Sequence, residues 1–255
     1  MDESSLKQFY EYEYRGLYTG KIKNNEINNI FEAQLNIAEN YYSYIKNYAP
    51  KPINKYQNVI EIGCSAGGIL KYFENKGHTV SGYDYDKKYI NFGKQKKLDL
   101  NYGGILEIQK TSRKFDLIIL AHTLEHFVDI KKDFLNIINL LNKDGLIFVN
   151  VPGIKNTNYY HSYRDFLFYI QNAHNYYFTK NTFNNFIKSI DKPINLINTN
   201  EIIYSLLKLE NKKKDIVFVN EYKSTLKFIR KIQKERYFNL SIYFIKKILR
   251  KFIKR

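Results

Sequence analysis

The sequence predicts an α/β protein built on a mostly parallel sheet covered by helices. The first indication is the stretch from Asn58 to Leu70, where an apolar, β-branched run ends in glycines and small residues before a helical pattern begins. The second is the series of short apolar runs that follows. Helical patterns of about 10 to 15 residues separate these runs, as in parallel sheets whose strands are joined by helices.

The region before the first strand, residues 1–54, predicts a helical cover over the core. Apolar residues from Ile27 to Ile45 recur at helical spacing, and Pro50 and Pro52 end this helix before the strand. The segment before the helix is rich in tyrosine (Tyr10, Tyr12, Tyr14 and Tyr18). We expect both segments to pack on the core, and the alternative is a lid over a substrate.

Residues 55–220 carry the strand pattern of the sheet. Strands are predicted at residues 59–62, 79–83, 115–121 and 146–151, with two more at 194–204 and 215–220, and a short segment follows the second helix at 98–106. Helices are predicted at residues 69–75, 87–97 and 134–141, followed by a turn at 142–145. This order predicts one domain with appendages at both ends rather than two equal domains.

The glycine-rich turn after the first strand predicts a site for the polar part of a nucleotide-like cofactor. Gly63, Gly67 and Gly68 permit backbone angles and close approaches that a β-carbon forbids. The helix that begins there aims free N–H groups at the turn. Asp84 follows Gly63 by 21 residues, at the end of the second strand. A carboxylate there accepts hydrogen bonds from both hydroxyls of a ribose, whereas Asp86 is better placed to cap the next helix.

With these residues in hand, the chain from Lys55 to Ile190 resembles the class I S-adenosylmethionine-dependent methyltransferases. Four segments match the family's motifs in order: Val-Ile-Glu-Ile-Gly-Cys-Ser-Ala-Gly-Gly at 59–68, Val-Ser-Gly-Tyr-Asp at 80–84, the strand at 115–126 with its Leu-Glu-His ending, and 140–149. The resemblance implies a Rossmann-like methyltransferase fold with a seven-stranded, mostly parallel sheet and helices on both faces. It also implies S-adenosyl-L-methionine as the cofactor and methyl transfer as the activity.

The resemblance further implies which residues contact the cofactor. They are Glu61, Gly63, Cys64, Ser65, Ala66, Gly67, Gly68, Asp84, Tyr85, Leu106, Ala121 and His122. The glycine turn is expected to hold the amino-acid end of the cofactor, Asp84 the ribose, and Leu106 the adenine. Ser65 departs from the family pattern, because it stands at the middle glycine of Gly-x-Gly-x-Gly.

Three histidines, His122, His126 and His174, are the candidate catalytic residues. The first two follow the fourth strand, where ligands of open α/β sheets bind. A neutral imidazole at that place accepts a proton from a hydroxyl near pH 7. The alternative for each is a structural histidine that braces a turn or packs on aromatic rings.

Within the superfamily, the chain is similar to a bacterial branch that acts on sugars and surface glycans. The matching segments are 151–153, 173–179 and 182–183. This similarity implies an acceptor-binding insertion around residues 153–185, which also contains His161, Tyr163 and Arg164. The expected acceptor is a small molecule or a lipid-linked glycan, in particular a sugar hydroxyl in surface polysaccharide biosynthesis. An RNA methyltransferase and a non-catalytic S-adenosylmethionine-binding protein are the alternatives.

Two other motifs share these residues. Gly63-Cys-Ser65-Ala-Gly67 satisfies the nucleophile elbow of serine hydrolases, although little chain precedes it to form an oxyanion hole. His122-Thr-Leu-Glu125-His126 satisfies the inverted zinc-protease motif, which needs both histidines on one face of a helix. Since the strand is expected to end at Ala121, His122 precedes that helix, and no metal ion is expected.

The charge of the chain is concentrated in its C-terminal tail. Residues 211–255 contain 15 of the 41 basic residues and 3 of the 25 acidic ones, a net charge of +12 out of +16. From about Leu240 the sequence predicts a basic amphipathic helix within the tail 221–255. Three hypotheses fit residues 240–255: docking on an anionic membrane surface, packing on the domain, and, as the weaker alternative, contact with nucleic acid.

The sequence also predicts a cytoplasmic protein, with peripheral attachment to the inner face of the membrane as an extension. Cys64 is the single cysteine, so an internal disulfide is impossible and a reducing compartment is the simpler interpretation. The first residues lack the basic and apolar regions of a signal peptide, and no apolar run reaches the length of a membrane-spanning helix.

Overall fold

The computed structural model describes residues 3–18, 26–155, 166–170, 173–192, 194–199, 203–210 and 217–253, and it contains the predicted sheet. The strands are β1 (Asn58–Ile62), β2 (Thr79–Asp84), β3 (Leu100–Tyr102), β4 (Phe115–Ala121), β5 (Leu141–Asn150), β6 (Ile194–Thr199) and β7 (Tyr204–Leu209). They lie in the order β3-β2-β1-β4-β5-β7-β6. Strands β1 to β5 pair in parallel, and β7 runs antiparallel to β5 and β6. The prediction of a seven-stranded, mostly parallel sheet is therefore confirmed.

The described helices connect and cover these strands. They are α1 (Glu3–Gln8), α2 (Tyr14–Tyr18), α3 (Glu26–Tyr48), α4 (Gly68–Asn75), α5 (Lys87–Gln95), α6 (Ile105–Lys110), α7 (Ile130–Ile138), α8 (Phe166–Tyr169), α9 (Lys180–Ser189) and α10 (Tyr222–Ile253). A π-helical turn, Phe9–Glu13, joins α1 to α2, and short 3₁₀ turns occur at Ile53–Lys55 and Leu124–His126.

Apolar residues on the two faces of the sheet form two separate cores. On one face, Phe134 of α7 and Phe183 of α9 pack on Ile118 of β4. On the other face, Ile45 of α3 and Phe73 of α4 pack with the alternate strand residues. Because successive residues of a strand point to opposite faces, each buried strand supplies side chains to both cores. Helices therefore lie on both faces of the sheet, as expected.

Helix α3 comes unusually close to the glycine turn. A β-carbon added at Gly68 would lie 2.2 Å from the carbonyl oxygen of Phe31 in α3. Only glycine therefore allows α3 to pack at this distance from the start of α4. The predicted helix after Ile27 is confirmed, and its contact with the turn brings the N-terminal region to the cofactor side of the sheet.

Two predictions of local structure are wrong. The strand expected at 215–220 is absent from its described part, since residues 217–220 belong to neither a helix nor a strand. The chain instead forms β6 and β7 within and just after the strand predicted at 194–204. The turn expected at 142–145 lies inside β5, whose pairing with β4 shifts register between Phe115 and Leu117. The preceding helix consequently ends at Ile138 rather than Leu141.

The tail forms the single long helix α10, which begins well before the predicted Leu240. Ile232 is buried against Ile154, Phe166 and Tyr169, so the first half of α10 packs on the domain. The side chains of the predicted basic and apolar stripes, residues 244–255, lie outside the described part of the structure. Among the helices that the structure describes, none has both the length and the apolar character needed to cross a membrane.

Candidate functional site

The turn after β1 is held in left-handed backbone conformations. Gly63, Ser65 and Gly67 have φ angles of 77°, 52° and 82°. A β-carbon at Gly63 would lie 2.4 Å from Oγ1 of Thr123, which follows β4. The conformation of Ser65 explains why glycine is usual at this position, because a left-handed residue with a side chain is strained.

Most of the described N–H groups of the turn donate hydrogen bonds to protein atoms. Ser65 donates its N–H to Oδ2 of Asp84 (2.8 Å), and Gly68 donates to Oε1 of Gln34 in α3 (3.2 Å). Gly63 and Cys64 donate to the carbonyl oxygen of Tyr83. We expected free N–H groups at the start of α4, but Gln34 occupies the first one. The turn therefore shapes the site mainly through the course of its backbone and less through free N–H donors.

Asp84 is fixed in orientation at the end of β2. Its two carboxylate oxygens accept the N–H groups of Ser65 and Asp86, each at 2.8 Å. Each oxygen has further acceptor capacity, and Asp84 lies on the wall of a cavity. Asp86 caps α5 through the N–H groups of Lys88 and Tyr89, which confirms its predicted role.

A cavity of about 660 Å³ opens at the carboxyl ends of β1, β2 and β4. Its volume lies in the range of small-molecule and cofactor sites, roughly 300–1,000 Å³. Of the residues expected to contact a cofactor, the following line it: Gly63, Ser65, Asp84, Tyr85, Leu106, Ala121 and His122. The others, Glu61, Cys64, Ala66, Gly67 and Gly68, are buried and lie outside the lining.

Glu61 lies in β1, beneath the turn. It is fully buried, and neither carboxylate oxygen has a hydrogen-bond partner among the described residues. Burial, with a smaller contribution from the charge of Asp84, raises the pKa of Glu61 well above its usual value. The carboxyl therefore favours its neutral form.

The N-terminal helices supply cavity walls that sequence reasoning did not assign to the site. Arg15 of α2 donates from Nη2 to Oγ of Ser65 (2.9 Å), lies 3.9 Å from the Asp86 carboxylate, and stacks over the Tyr89 ring at 4.4 Å. Glu11 accepts hydrogen bonds from Lys87 and from Tyr102. The bond from Lys87, followed by that from Tyr102, lowers the pKa of Glu11 to about 2. These contacts place a guanidinium at the turn.

Tyrosine rings from the same segment reach the histidines after β4. The rings of Tyr10 and Tyr14 meet the His126 ring edge-on at 5.8 and 5.7 Å. Both tyrosines line the cavity, together with Ile30 and Ile37 of α3. The tyrosine-rich composition was the signal in the sequence for this wall.

The three candidate histidines surround one buried glutamate, Glu125. His122 follows β4 with φ of 54°, and its Nδ1 lies 3.6 Å from Oε1 of Glu125. Nε2 of His174 lies 4.0 Å from the same oxygen. The His126 and His174 rings are 4.7 Å apart and nearly perpendicular. His122 and His126 line the cavity, whereas His174 lies outside its lining.

The electrostatics of this cluster favour a charged Glu125 and the neutral forms of His126 and His174. Burial raises the pKa of Glu125, but His122, His126 and His174 together outweigh burial and hold it below its usual value. Burial lowers the pKa of His126, and it lowers that of His174 to about 4 despite the opposing effect of Glu125.

The described part of the insertion 153–185 packs on the loop after β4. Asn175 and Tyr176 donate their N–H groups to the carbonyl oxygen of Glu125 (2.8 and 3.2 Å). Among the described residues of this insertion, none lines the cavity. His161, Tyr163 and Arg164 lie outside the described residues. The insertion therefore contributes His174 to the Glu125 cluster by bracing the loop.

Comparison with known proteins identifies the family of the chain. A family profile described as "Methyltransferase domain" matches residues 34–191, more than half of the chain. The chain belongs to the methyltransferase family. The resemblance to class I S-adenosylmethionine-dependent methyltransferases is thereby confirmed.

The match to the curated relatives spans only part of their length. A ubiquinone biosynthesis O-methyltransferase of Coxiella burnetii is 28% identical over 100 residues, which are 37% of this chain and 43% of that protein. Its counterpart from Pelagibacter ubique is 31% identical over 104 residues, with 39% and 43% covered. The chain therefore matches about two fifths of the length of these relatives.

Solved structures agree on the fold. The plantazolicin methyltransferase BpumL, in complex with a monoazolic substrate analogue and SAH, superposes with a TM-score of 0.57 at 12% identity over 82% of this chain and 97% of that one. The magnesium protoporphyrin IX methyltransferase of Synechocystis PCC 6803, with bound SAH, gives 0.52 at 12% identity, with 81% and 98% covered. The predicted Rossmann-like methyltransferase fold is confirmed.

Proposed function

We propose that this protein transfers a methyl group from S-adenosylmethionine to a hydroxyl group of a small, ring-containing acceptor. The observation that carries the proposal is the cavity that Asp84 and Ser65 line together with His122 and His126. A cofactor held at the first pair faces an acceptor at the second. The cofactor, when bound, supplies an activated methyl group on its sulfonium, and the protein's task is to position the two reactants.

The residues at the carboxyl ends of β1 and β2 fit S-adenosylmethionine. Asp84, already oriented by two N–H groups, has acceptor capacity for the ribose hydroxyls. Arg15 lies at the turn, where a guanidinium suits the carboxylate at the amino-acid end. Leu106, which is 41% exposed and lines the cavity, offers an apolar surface to the adenine. These roles agree with the site expected from the sequence and add Arg15 to it.

His122 is the proposed general base. Its side chain is 40% exposed and lines the cavity, so it can reach an acceptor. The transfer forms an oxygen–methyl bond and breaks the sulfur–methyl bond, and the hydroxyl proton passes to the imidazole. The charged Glu125, 3.6 Å from Nδ1, stabilises the imidazolium that results.

The acceptor wall favours a ring. Tyr10 and Tyr14, with Phe127, form an aromatic surface beside His126. Such a surface suits either a phenol or the apolar face of a sugar. The finer proposal is a sugar hydroxyl of a surface glycan as the acceptor. The names of the two ubiquinone biosynthesis relatives support O-methylation, whereas another curated relative is an N-methyltransferase.

The geometry gives no support to a serine hydrolase at Gly63–Gly67. Ser65 Oγ is hydrogen-bonded to the Arg15 guanidinium, which is not a general base. Its backbone also has the left-handed conformation of the family's cofactor turn.

An acceptor screen tests the proposal. Tag-free protein is incubated with S-adenosylmethionine and with catechols, nucleotide sugars, lipid-linked glycans or RNA, and S-adenosylhomocysteine is measured. Turnover with a small hydroxyl compound, reduced about 10²–10⁴-fold in kcat by His122→Asn with unchanged cofactor affinity, supports it. Turnover with RNA alone, or full activity of the variant, contradicts it.

Membrane docking through residues 240–255 stays part of the proposal for a lipid-linked acceptor. A version that ends at Asn239 keeps Ile232 and its contacts with the domain. Binding of the full chain, but not of this version, to vesicles with anionic lipids supports docking, and equal binding of both contradicts it.

A further inference from the structure

The buried cluster around Glu125 has the composition and spacing of a metal site. Glu125, His126 and His174 each place one potential ligand atom within 4.8 Å of the others. Ligand atoms around one Zn²⁺ ion, at bonds of about 2.0–2.2 Å, lie roughly 3–4 Å apart. A movement of the side chains by less than about 1 Å would therefore bring the three atoms into one coordination sphere.

The hydrogen bonding of His126 prepares it as a ligand. Its Nδ1 lies 3.0 Å from the carbonyl oxygen of Ala173, which can only accept a hydrogen bond. Nδ1 therefore carries the proton, and Nε2 keeps its lone pair. A backbone carbonyl that fixes the second ring nitrogen is the usual arrangement for a metal-binding histidine.

Glu125 lacks the partners that a buried carboxylate requires. Its side chain is fully buried, and neither oxygen has a hydrogen bond among the described residues. Buried polar atoms normally have a partner, and the nearest candidates are His122 at 3.6 Å and His174 at 4.0 Å. A metal ion held between this carboxylate and the two imidazoles would supply the missing partner.

We propose that Glu125, His126 and His174 bind one divalent transition-metal ion, with Zn²⁺ as the best-suited species. Two histidines and a glutamate with an open position are typical of catalytic zinc sites. The sequence motif His-x-x-Glu-His instead pairs His122 with His126. That pair shares no helical face, because His122 precedes the 3₁₀ turn Leu124–His126 with φ of 54°. In the proposed site, His174 from the insertion replaces His122 as the second histidine ligand.

His126 lines the cavity, so an ion bound to it would lie beside the proposed acceptor site. An ion there would coordinate the acceptor oxygen and lower the pKa of its hydroxyl. This role rests on the proposed function, whereas the site itself does not.

Cobalt titration tests the site. Tag-free protein is freed of metal with a chelator and titrated with Co²⁺, and the visible absorption of the bound ion is followed. We expect one ion per chain, without a thiolate charge-transfer band. His126→Asn and His174→Asn should each weaken binding at least tenfold. The matched control is His122→Asn, which suits the left-handed backbone and should bind Co²⁺ like the wild type.

Absence of a saturable band, wild-type binding by His174→Asn, or loss of binding in His122→Asn would overturn the proposal. Wild-type thermal unfolding gives a second measure that needs no variant: Zn²⁺ should raise Tm, chelation should reverse the rise, and an unchanged Tm would count against the site. S-adenosylhomocysteine binding, measured on the same samples, separates the two proposals. Binding of Co²⁺ without binding of S-adenosylhomocysteine would support the metal site and contradict the proposed function. Binding of S-adenosylhomocysteine without Co²⁺ would overturn the metal site and leave the proposed function intact.

Discussion

Two buried glutamates, Glu61 beneath the cofactor turn and Glu125 behind the acceptor wall, have opposite electrostatics. Both are fully buried, and both lack a hydrogen bond among the described residues. Burial, together with Asp84, raises the pKa of Glu61 well above its usual value. At Glu125 burial acts in the same direction, but three neighbouring histidines outweigh it and the pKa falls.

The difference teaches that burial alone does not decide the charge of a carboxyl group. At Glu61 the nearest charge is another carboxylate, so the neutral form is favoured. At Glu125 the neighbours are histidines, so the anion is favoured and becomes available to a proton or a metal ion. The proposed function assigns cofactor binding to the side of the cavity near Glu61 and proton transfer to the side near Glu125.

The largest expected effect is on the binding side. Asp84→Ala should weaken S-adenosylmethionine binding about 10²–10⁴-fold, because two hydrogen bonds to a charged group, roughly 1.5–3 kcal/mol each, are lost. Calorimetric titration measures the change. The exposed Asp99→Ala is the matched control and should bind like the wild type. Equal affinity of Asp84→Ala and the wild type would remove Asp84 from the site.

A smaller effect is expected at the contact between α3 and the turn. Gly68→Ala should lower the free energy of unfolding by about 1–3 kcal/mol, because its β-carbon would meet the Phe31 carbonyl oxygen at 2.2 Å. Urea unfolding measures the difference. Gly16→Ala, whose β-carbon meets no atom within 4 Å, is the control. Equal stability of the two variants would show that α3 does not press on the turn.

The smallest expected effect is a pH dependence of stability that separates Glu61 from Glu125. Because the folded pKa of Glu61 is raised, the folded state keeps a proton that the unfolded state has lost above pH 4.5, so stability falls as pH rises toward the folded pKa. Glu61→Gln removes this loss, about 1.4 kcal/mol for each pKa unit. Its gain in Tm over the wild type should be larger at pH 8 than at pH 5.

The exposed Glu32→Gln serves as the control for this pH series and should shift Tm equally at both pH values. A gain for Glu61→Gln that does not depend on pH would mean that the pKa of Glu61 is not raised in the folded protein.

Sequence patterns predicted the fold around the glycine turn well because its determinants are local. The strand, the turn with Gly63 and Gly67, and the acid 21 residues further on are adjacent elements of one βαβ unit. Short-range spacing therefore fixes their geometry. The strand predicted at 215–220 is wrong because strand pairing depends on distant segments. Val217 and Phe218 favour strands, but the place beside β5 is taken by β7.

Arg15 at the turn and the whole proposed acceptor side depend on contacts between distant segments, which no spacing rule predicts. Arg15 reaches Ser65 across 50 residues. The rings of Tyr10 and Tyr14 reach His126 through a helix interrupted by a π-helical turn. His174 is held beside Glu125 because the next two residues, Asn175 and Tyr176, donate their N–H groups to the carbonyl oxygen of Glu125. The sequence supplied the three histidines as candidates, and the fold supplies the glutamate between them.

The most direct test of the central claim is calorimetric titration of the wild-type protein with S-adenosylmethionine and with S-adenosylhomocysteine. The structure predicts binding of one molecule of either compound per chain, with micromolar affinity and competition between the two. Absence of binding by both would contradict the claim that the cavity between Asp84 and His122 is a methyltransferase cofactor site.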